Sequence, residues 1–276
     1  MTQAPSIDDV RDRLIVKPGK SFALSERPCR DEKLFGDKDD ALQSLADDAL
    51  VIDELQDRLY AEGSRSLLLV LQGMDTAGKS GTIKTVFSQT SPLGMEVKAF
   101  KAPSSEERAH DYLWRVHKAV PRHGNIGIFD RSHYEDVLVV KVREFAPADD
   151  IKKRYDQINA FEEHLTQNGV VVLKCMLNVS HAEQAERLKA RLVRPHKRWK
   201  FQEGDLEDRK LWPQFMDAYE TALERCSTDH APWYVIPADS KSRRNAMVAR
   251  LVRGALEDMD PRAPDPGYRL EDFKID

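Results

Sequence analysis

The stretch Leu67-Leu-Leu-Val-Leu-Gln-Gly73-Met-Asp75-Thr76-Ala77-Gly78-Lys79-Ser80-Gly81 decides the fold. Leu67 to Leu71 is an unbroken apolar run, the pattern of a strand buried on both faces of a parallel sheet. From Gly73 the chain reads G-x-x-x-x-G-K-S, a complete phosphate loop. Gly81-Thr-Ile-Lys-Thr-Val-Phe87 follows and can start a helix. In this order the glycines let the backbone wrap a phosphate, its N–H groups pointing inward at the positive end of the helix dipole. Gly73, Thr76, Ala77, Gly78, Lys79, Ser80 and Gly81 are therefore the candidate phosphate-binding residues. Lys79 adds a mobile cation for the transferring phosphate, and Ser80 offers a hydroxyl to Mg²⁺. A chance glycine turn is the bland alternative, and the flanking strand and helix argue against it.

Around this stretch lie 276 residues, 41% hydrophobic and 33% charged, enough for a sizeable core under a very polar surface. The net charge of -4 provides no global basic field, so neither nucleic acid nor a membrane surface is an expected partner. Cys29, Cys175 and Cys226 are scattered without metal-ligand spacing, and Cys175 reads as core. Met1 to Asp9 carries no signal-peptide core, and no stretch is long and apolar enough to span a bilayer, so a cytoplasmic protein is expected.

Residues 1 to about 35 are polar and broken by Pro5, Pro18, Gly19 and Pro28, which suggests an irregular extension. Leu42, Leu45, Leu50, Ile52, Leu55 and Leu59 recur at helical spacing and predict one amphipathic helix over Asp39 to Tyr60, ended by Gly63. Besides Leu67–Gln72, strands are expected at Met95–Lys101, Asn125–Phe129, Val170–Leu177 and Trp233–Ile236. Helices alternate with them: behind a capping box at Ser104–Glu107, over Ile151–Gln167, behind a second box at Ser180–Glu183, and over Arg243–Leu256. Asp205 is expected to cap a long helix through Phe215 and Leu223, with Pro213 kinking or restarting it. This alternation predicts a three-layer α/β/α domain of the phosphate-loop kinase type, with five mainly parallel strands. The expected division is an N-terminal extension and helix over 1–60, a core over 61–256 and a Pro-rich tail over 257–276. A lid module falls within the core at about 181–215.

Asp130 ends the third strand at its carboxyl edge, where open α/β sheets bind ligands. A carboxylate there can hold Mg²⁺ opposite Ser80; an ordinary strand-end aspartate is the alternative. Asp75, inside the loop, is either a metal ligand or a base toward the acceptor, or else rigidifies the loop through an Asx turn. Arg131 suits bidentate phosphate binding. Glu135 is a candidate second metal ligand and Tyr134 a candidate acceptor contact, although surface solvation would explain all three, Arg131 included. The candidate catalytic set is thus Asp75, Lys79, Asp130 and Arg131, and the metal set Asp75, Ser80, Asp130 and Glu135. Arg187, Arg191, Arg194, Lys197, Arg198 and Lys200 form a basic run after the fourth strand, read as lid cations against two alternatives: a solvated face, and a nucleic-acid patch, which the sparse aromatics argue against. His110 and His117 read as structural, and His133 has no assigned role.

Three segments carry a resemblance: Gly73 to Thr82, Ala102-Pro-Ser-Ser-Glu-Glu-Arg-Ala-His-Asp-Tyr-Leu-Trp-Arg115, and Phe129-Asp-Arg-Ser-His-Tyr-Glu-Asp136. Together with the basic run they resemble the polyphosphate kinase 2 family over roughly residues 35 to 255. Ser80 stands where many relatives carry an acidic or small residue. The resemblance implies a thymidylate-kinase-like core with a helical lid. It also implies Mg²⁺-dependent transfer of phosphoryl groups between inorganic polyphosphate and nucleotides, nearest the subgroup acting on both AMP and ADP. Mn²⁺ would substitute for Mg²⁺. Adenine nucleotides are the implied partners, guanine nucleotides a further option, and a homo-oligomer (dimer or tetramer) the implied assembly. The family motifs and the basic run favour this over an ATP-dependent nucleoside or metabolite kinase. The intact Lys79, Ser80 and Asp130 argue against a non-catalytic phosphate-loop or nucleic-acid-binding protein.

Overall fold

The computed structural model describes residues 4–269 and Phe273. Among them the chain begins with α1 (Ile7–Leu14), whose Ser6 and Asp9 close a capping box, and runs directly into β1 (Ile15–Val16). A long helix, α2 (Lys38–Glu62), follows; Asp37 caps it, and Gly63 ends it at φ +66°. The phosphate-loop unit is β2 (Ser66–Gln72) and α3 (Lys79–Val86). Next come β3 (Met95–Ala99), α4 (Ser105–Arg108), α5 (Trp114–His117), β4 (Ile126–Asp130), α6 (Val139–Val142), α7 (Ala148–Gln167) and β5 (Val170–Asn178). The last part holds α8 (His181–Val193), α9 (Gly204–Lys210), α10 (Trp212–Arg225), β6 (Trp233–Pro237) and α11 (Lys241–Met259).

The strand order is β1-β6-β5-β2-β4-β3. Every neighbouring pair is parallel except β1 with β6. The phosphate-loop strand β2 is central, and Leu67 to Leu71 are completely buried. Helix α11 packs on α2, α3 and the strands β2, β5 and β6, while α7 lies along β5 and α6 against α10, so helices cover the sheet as the three-layer expectation has it.

Several local expectations need correction. Among the described residues the sheet has six strands, not five. The added strand β1 is two residues long and shows no readable period; its place comes from pairing with Tyr234 and Trp233 and from Ser227 Oγ donating to the Val16 carbonyl. The expected irregular extension therefore contains a capped helix and a strand. The capping box at Ser104 forms, yet the helix behind it stops after one turn and restarts at Trp114. Asp111 causes the break by turning its carboxylate back to the N–H groups of Leu113 and Trp114. At Ser180 only half of the second box exists, because the Glu183 carboxylate pairs with Arg187 instead of the cap N–H. Asp205 lies inside α9 and caps nothing; Pro213 restarts the chain as α10. The tail through residue 269 forms no helix or strand, and Leu270–Asp272 and Lys274–Asp276 lie outside the described residues.

Candidate active site

The loop between β2 and α3 folds back on itself through glycines. Gly73 sits at φ +144° and Gly78 at φ +113°, and a Cβ on Gly73 would meet the Leu177 carbonyl oxygen at 2.7 Å. Lys79 is buried, with its ammonium 2.8 Å from the Gly73 carbonyl. Burial, and then the charge of Arg131, push its pKa down. The parallel register sets Leu71 beside Asp130. That register brings the Ser80 hydroxyl to 2.8 Å from the Asp130 carboxylate, to which it donates.

Immediately after Asp130 the backbone of Arg131 takes φ +65°, the left-handed region that side-chain-bearing residues rarely adopt. Its N–H donates to the Leu71 carbonyl, which turns the guanidinium back over the loop. Nη2 reaches Asp75 Oδ1 at 2.5 Å and Nη1 reaches Glu135 Oε2 at 3.1 Å. Gln72 donates to the other Glu135 oxygen at 3.1 Å. Burial works against a charged Asp75, but Arg131 and Lys79, with help from Arg191, hold its carboxyl below the usual range. Glu135 in turn raises the pKa of Arg131 in spite of burial. The structure thus brings Asp75, Lys79, Ser80, Asp130, Arg131 and Glu135 into one cluster of opposed charges at the carboxyl edge of the sheet.

Two arginines brace the loop from behind. Arg187 donates to the carbonyls of Thr76 and Ala77 at 3.0 Å each, and to those of Ala238 and Asp239 at 2.7 and 3.0 Å. Arg244 on α11, buried and without a carboxylate partner among the described residues, donates to the Ala77 carbonyl at 2.9 Å and to Asn245. Burial, then the charge of Arg187, pull its pKa down to about 10. Gln184 donates to the Asp75 carbonyl at 3.2 Å. The carbonyls of Asp75, Thr76 and Ala77 are occupied by these three side chains, which fixes the path of the loop. Arg187 is accordingly a brace and not a free lid cation: its two terminal nitrogens are spent on backbone carbonyls and its Nε on Glu183. Arg244 and Gln184 were not anticipated, and nothing local in their sequence marks them.

The rest of the basic run divides. Arg191 pairs with Asp205 at 2.8 Å, joining α8 to α9. Burial and the nearby charge of Asp75 push the Asp205 carboxyl up. Arg198 donates to the Leu192 carbonyl, Arg194 is exposed and Lys197 half-buried. Tyr134 is the clear miss among the candidate site residues. It is fully buried, its hydroxyl 2.9 Å from Glu162 and from Lys174, so it faces the core and contacts no acceptor. His133 is buried beside it, against Glu162.

A phosphate loop whose serine meets a strand-end aspartate across the sheet, with a buried lysine and a clamped arginine beside it, defines a phosphate-loop protein of the kinase class. The chain belongs to the polyphosphate kinase 2 family, whose model, described as Polyphosphate kinase 2, matches residues 36–264. It is 45% identical to an AMP/ADP-polyphosphate phosphotransferase of Meiothermus ruber over 95% of this chain and 98% of that one. With an ADP-polyphosphate phosphotransferase of Rhodopseudomonas palustris the identity is 36%, over 93% of each chain. The crystal structure of Polyphosphate Kinase 2 from Arthrobacter aurescens superposes with a TM-score of 0.92, at 42% identity, over 98% of this chain and 95% of that one.

Proposed function

We propose that this protein transfers phosphoryl groups from inorganic polyphosphate to AMP and ADP, reversibly. One observation carries the reading: a chain similar along nearly its whole length to an AMP/ADP-polyphosphate phosphotransferase sets Lys79, Arg131 and the Ser80–Asp130 pair around one loop. Phosphoryl transfer needs little covalent chemistry from the protein; positioning and charge stabilisation supply the catalysis. In the free protein Arg131 is neutralised by Asp75 and Glu135. An incoming phosphate chain can offer the guanidinium two oxygens of one phosphate in place of these two single carboxylate contacts.

The reaction takes Mg²⁺, with Mn²⁺ as substitute. Ser80 and Asp130 would hold the ion, and their 2.8 Å contact places a hydroxyl and a carboxylate, both hard oxygen donors, within one small space. Among the described residues no three His, Cys, Asp or Glu side chains converge as a metal cage. The fit is to an ion that keeps waters and takes its remaining ligands from substrate phosphates. Bound there, the ion would neutralise the phosphates that Asp75 and Asp130 otherwise repel. The segment from α8 to α9, with Arg191, Arg194, Lys197 and Arg198, acts as a lid over the donor. A homo-oligomer, dimer or tetramer, and a cytoplasmic location complete the reading. They are tested by light scattering and cell fractionation. No helix among the described residues is long and apolar enough to cross a membrane.

The test is incubation with long-chain polyphosphate and Mg²⁺ plus AMP, ADP, GMP or GDP, with products separated by chromatography. ADP from AMP and ATP from ADP are expected, and the guanine arms measure base selectivity. No product from polyphosphate, but product from ATP and a nucleoside, would replace this reading with a conventional kinase.

A further inference from the structure

Beneath the site lies a second polar cluster that the proposed reaction does not use. Lys174 stands in mid-strand on β5, paired with Val70 of β2 and Trp233 of β6, and is fully buried. Its ammonium donates to Glu162 Oε2 of α7 at 2.5 Å, to Tyr134 Oη at 2.9 Å and to the Cys226 carbonyl just past α10 at 2.7 Å. Glu162 Oε1 accepts the Tyr134 hydroxyl at 2.9 Å and lies 3.1 Å from His133 Nε2. The Tyr134 ring packs edge-on against Trp233, centroids 4.7 Å apart.

A buried ion pair of this kind is poor value as a stabiliser, since apolar side chains of equal volume often do as well. What such a network can supply is a single arrangement of the elements it joins. Here those elements include the turn His133–Asp136 that follows β4. Within the five residues 131–135 the chain alternates direction. Arg131 and Glu135 pair with each other beside the phosphate loop, where Arg131 also holds Asp75; His133 and Tyr134 reach inward to the cluster. Arg131 also holds an unfavourable left-handed backbone, which persists only where its surroundings over-determine it.

We propose that Lys174, acting through Glu162 and Tyr134, is a positioning residue that holds the turn after β4 so that Arg131 and Glu135 face the phosphate loop. The inference rests on the polyphosphate-dependent reaction and adds the source of its geometry. None of the three touches substrate.

The test is a double-mutant cycle on kcat with Tyr134→Phe and Arg131→Lys. The first keeps the ring and removes the hydroxyl between Lys174 and Glu162; the second keeps a cation and measurable turnover. Tyr134→Phe is expected to lower kcat about five- to tenfold, with KM for polyphosphate and ADP within about twofold, and to add under about twofold in the Arg131→Lys background. Independent, multiplying losses, or wild-type kcat in Tyr134→Phe, would overturn the proposal. A second variant, Lys174→Met with Glu162→Leu, removes both charges together. It should fold with a melting temperature near that of the wild type and still lose turnover; full turnover in this folded variant would also overturn it. Absence of polyphosphate-dependent turnover in the wild type, by contrast, would defeat the reaction itself.

Discussion

Lys79 reaches back to the Gly73 carbonyl while Asp130 takes the Ser80 hydroxyl, so each satisfies the loop without substrate. Both contacts are ones a phosphate or a metal ion would replace. Lys79→Ala and Asp130→Asn should therefore leave the fold intact and each lower kcat by about 100- to 1,000-fold, the effect of removing one preorganised charge-stabilising group. The check is steady-state kinetics alongside circular dichroism and thermal melting. Near-normal turnover in either folded variant would move the active site elsewhere. The same activity should disappear on thorough chelation and return with Mg²⁺ or Mn²⁺; undiminished turnover without divalent ions would remove the metal from the reaction.

At the scale of elements, the charges on α8 and the turn after it do two kinds of work. Arg187 braces the loop, whereas Arg191 and Arg198 lie further out and bind Asp205 and the Leu192 carbonyl. A polyphosphate chain carries roughly one charge per unit and can run along the outer group, which a nucleotide cannot match. Arg191→Ala with Arg198→Ala should raise KM for polyphosphate about tenfold, equivalent to about 1.4 kcal/mol, and KM for ADP less. The loss should be larger at low ionic strength, because salt already screens exposed charges. Paired titrations at two salt concentrations decide it, and equal behaviour toward polyphosphate would return the segment to a solvated face. A different junction, between α2 and β2, predicts a pH effect. Arg65 donates to both oxygens of Glu62 and, with Ser64, pulls that carboxyl down to about 2. A depressed acid stabilises the fold above its unfolded pKa and loses that contribution as pH falls through the folded one. Glu62→Gln should therefore be less stable than the wild type at neutral pH, the gap closing between about pH 4.3 and pH 2. Denaturant titrations across that window check it, and a constant gap would sink the assignment.

For the whole molecule, the two long helices beside the sheet are locked by a buried ionic knot. Asp48 of α2 is completely buried and accepts from Arg250 at 2.8 and 3.1 Å and from Arg253 at 3.2 Å, both on α11. Arg250 also donates to Ser44 and to the Pro5 carbonyl, tying in the chain before α1. Asp48→Ala would leave Arg250 charged and unpaired inside the protein. The expected cost is about 3–5 kcal/mol of stability, the usual result of breaking one side of a buried pair. Turnover per folded molecule should not change, since the knot's bonds run to Asp48, Ser44 and Pro5 and none to the loop. Chemical denaturation measures the first and active-site-normalised kinetics the second; a loss under about 1 kcal/mol would show that the pair is not the lock it resembles.

What the sequence determined by itself was local and periodic. Strand, loop and helix around Gly73–Ser80 follow from neighbouring residues, and the alternation of apolar strands with amphipathic helices forces a parallel sheet with its ligand site at the carboxyl edge. Asp130 and Arg131 were legible for the same reason, as the residues ending a strand. The tertiary structure decided everything that depends on where a side chain points or on what a distant segment brings. Tyr134 and Glu135 are adjacent in the chain, yet the turn sends one into the core and the other into the site. Arg187 shares a basic run with Arg191 and Arg198 but meets four carbonyls from two loops far away in sequence. Arg244 looks like any helix-surface arginine until α11 packs against the loop, and β1 exists only because β6 offers it an edge. Lys174 was the one such residue with a visible mark, a charge in the middle of the apolar run Val170–Leu177; its partners Glu162, Tyr134 and the Cys226 carbonyl come from three other elements, so only the folded chain could name them.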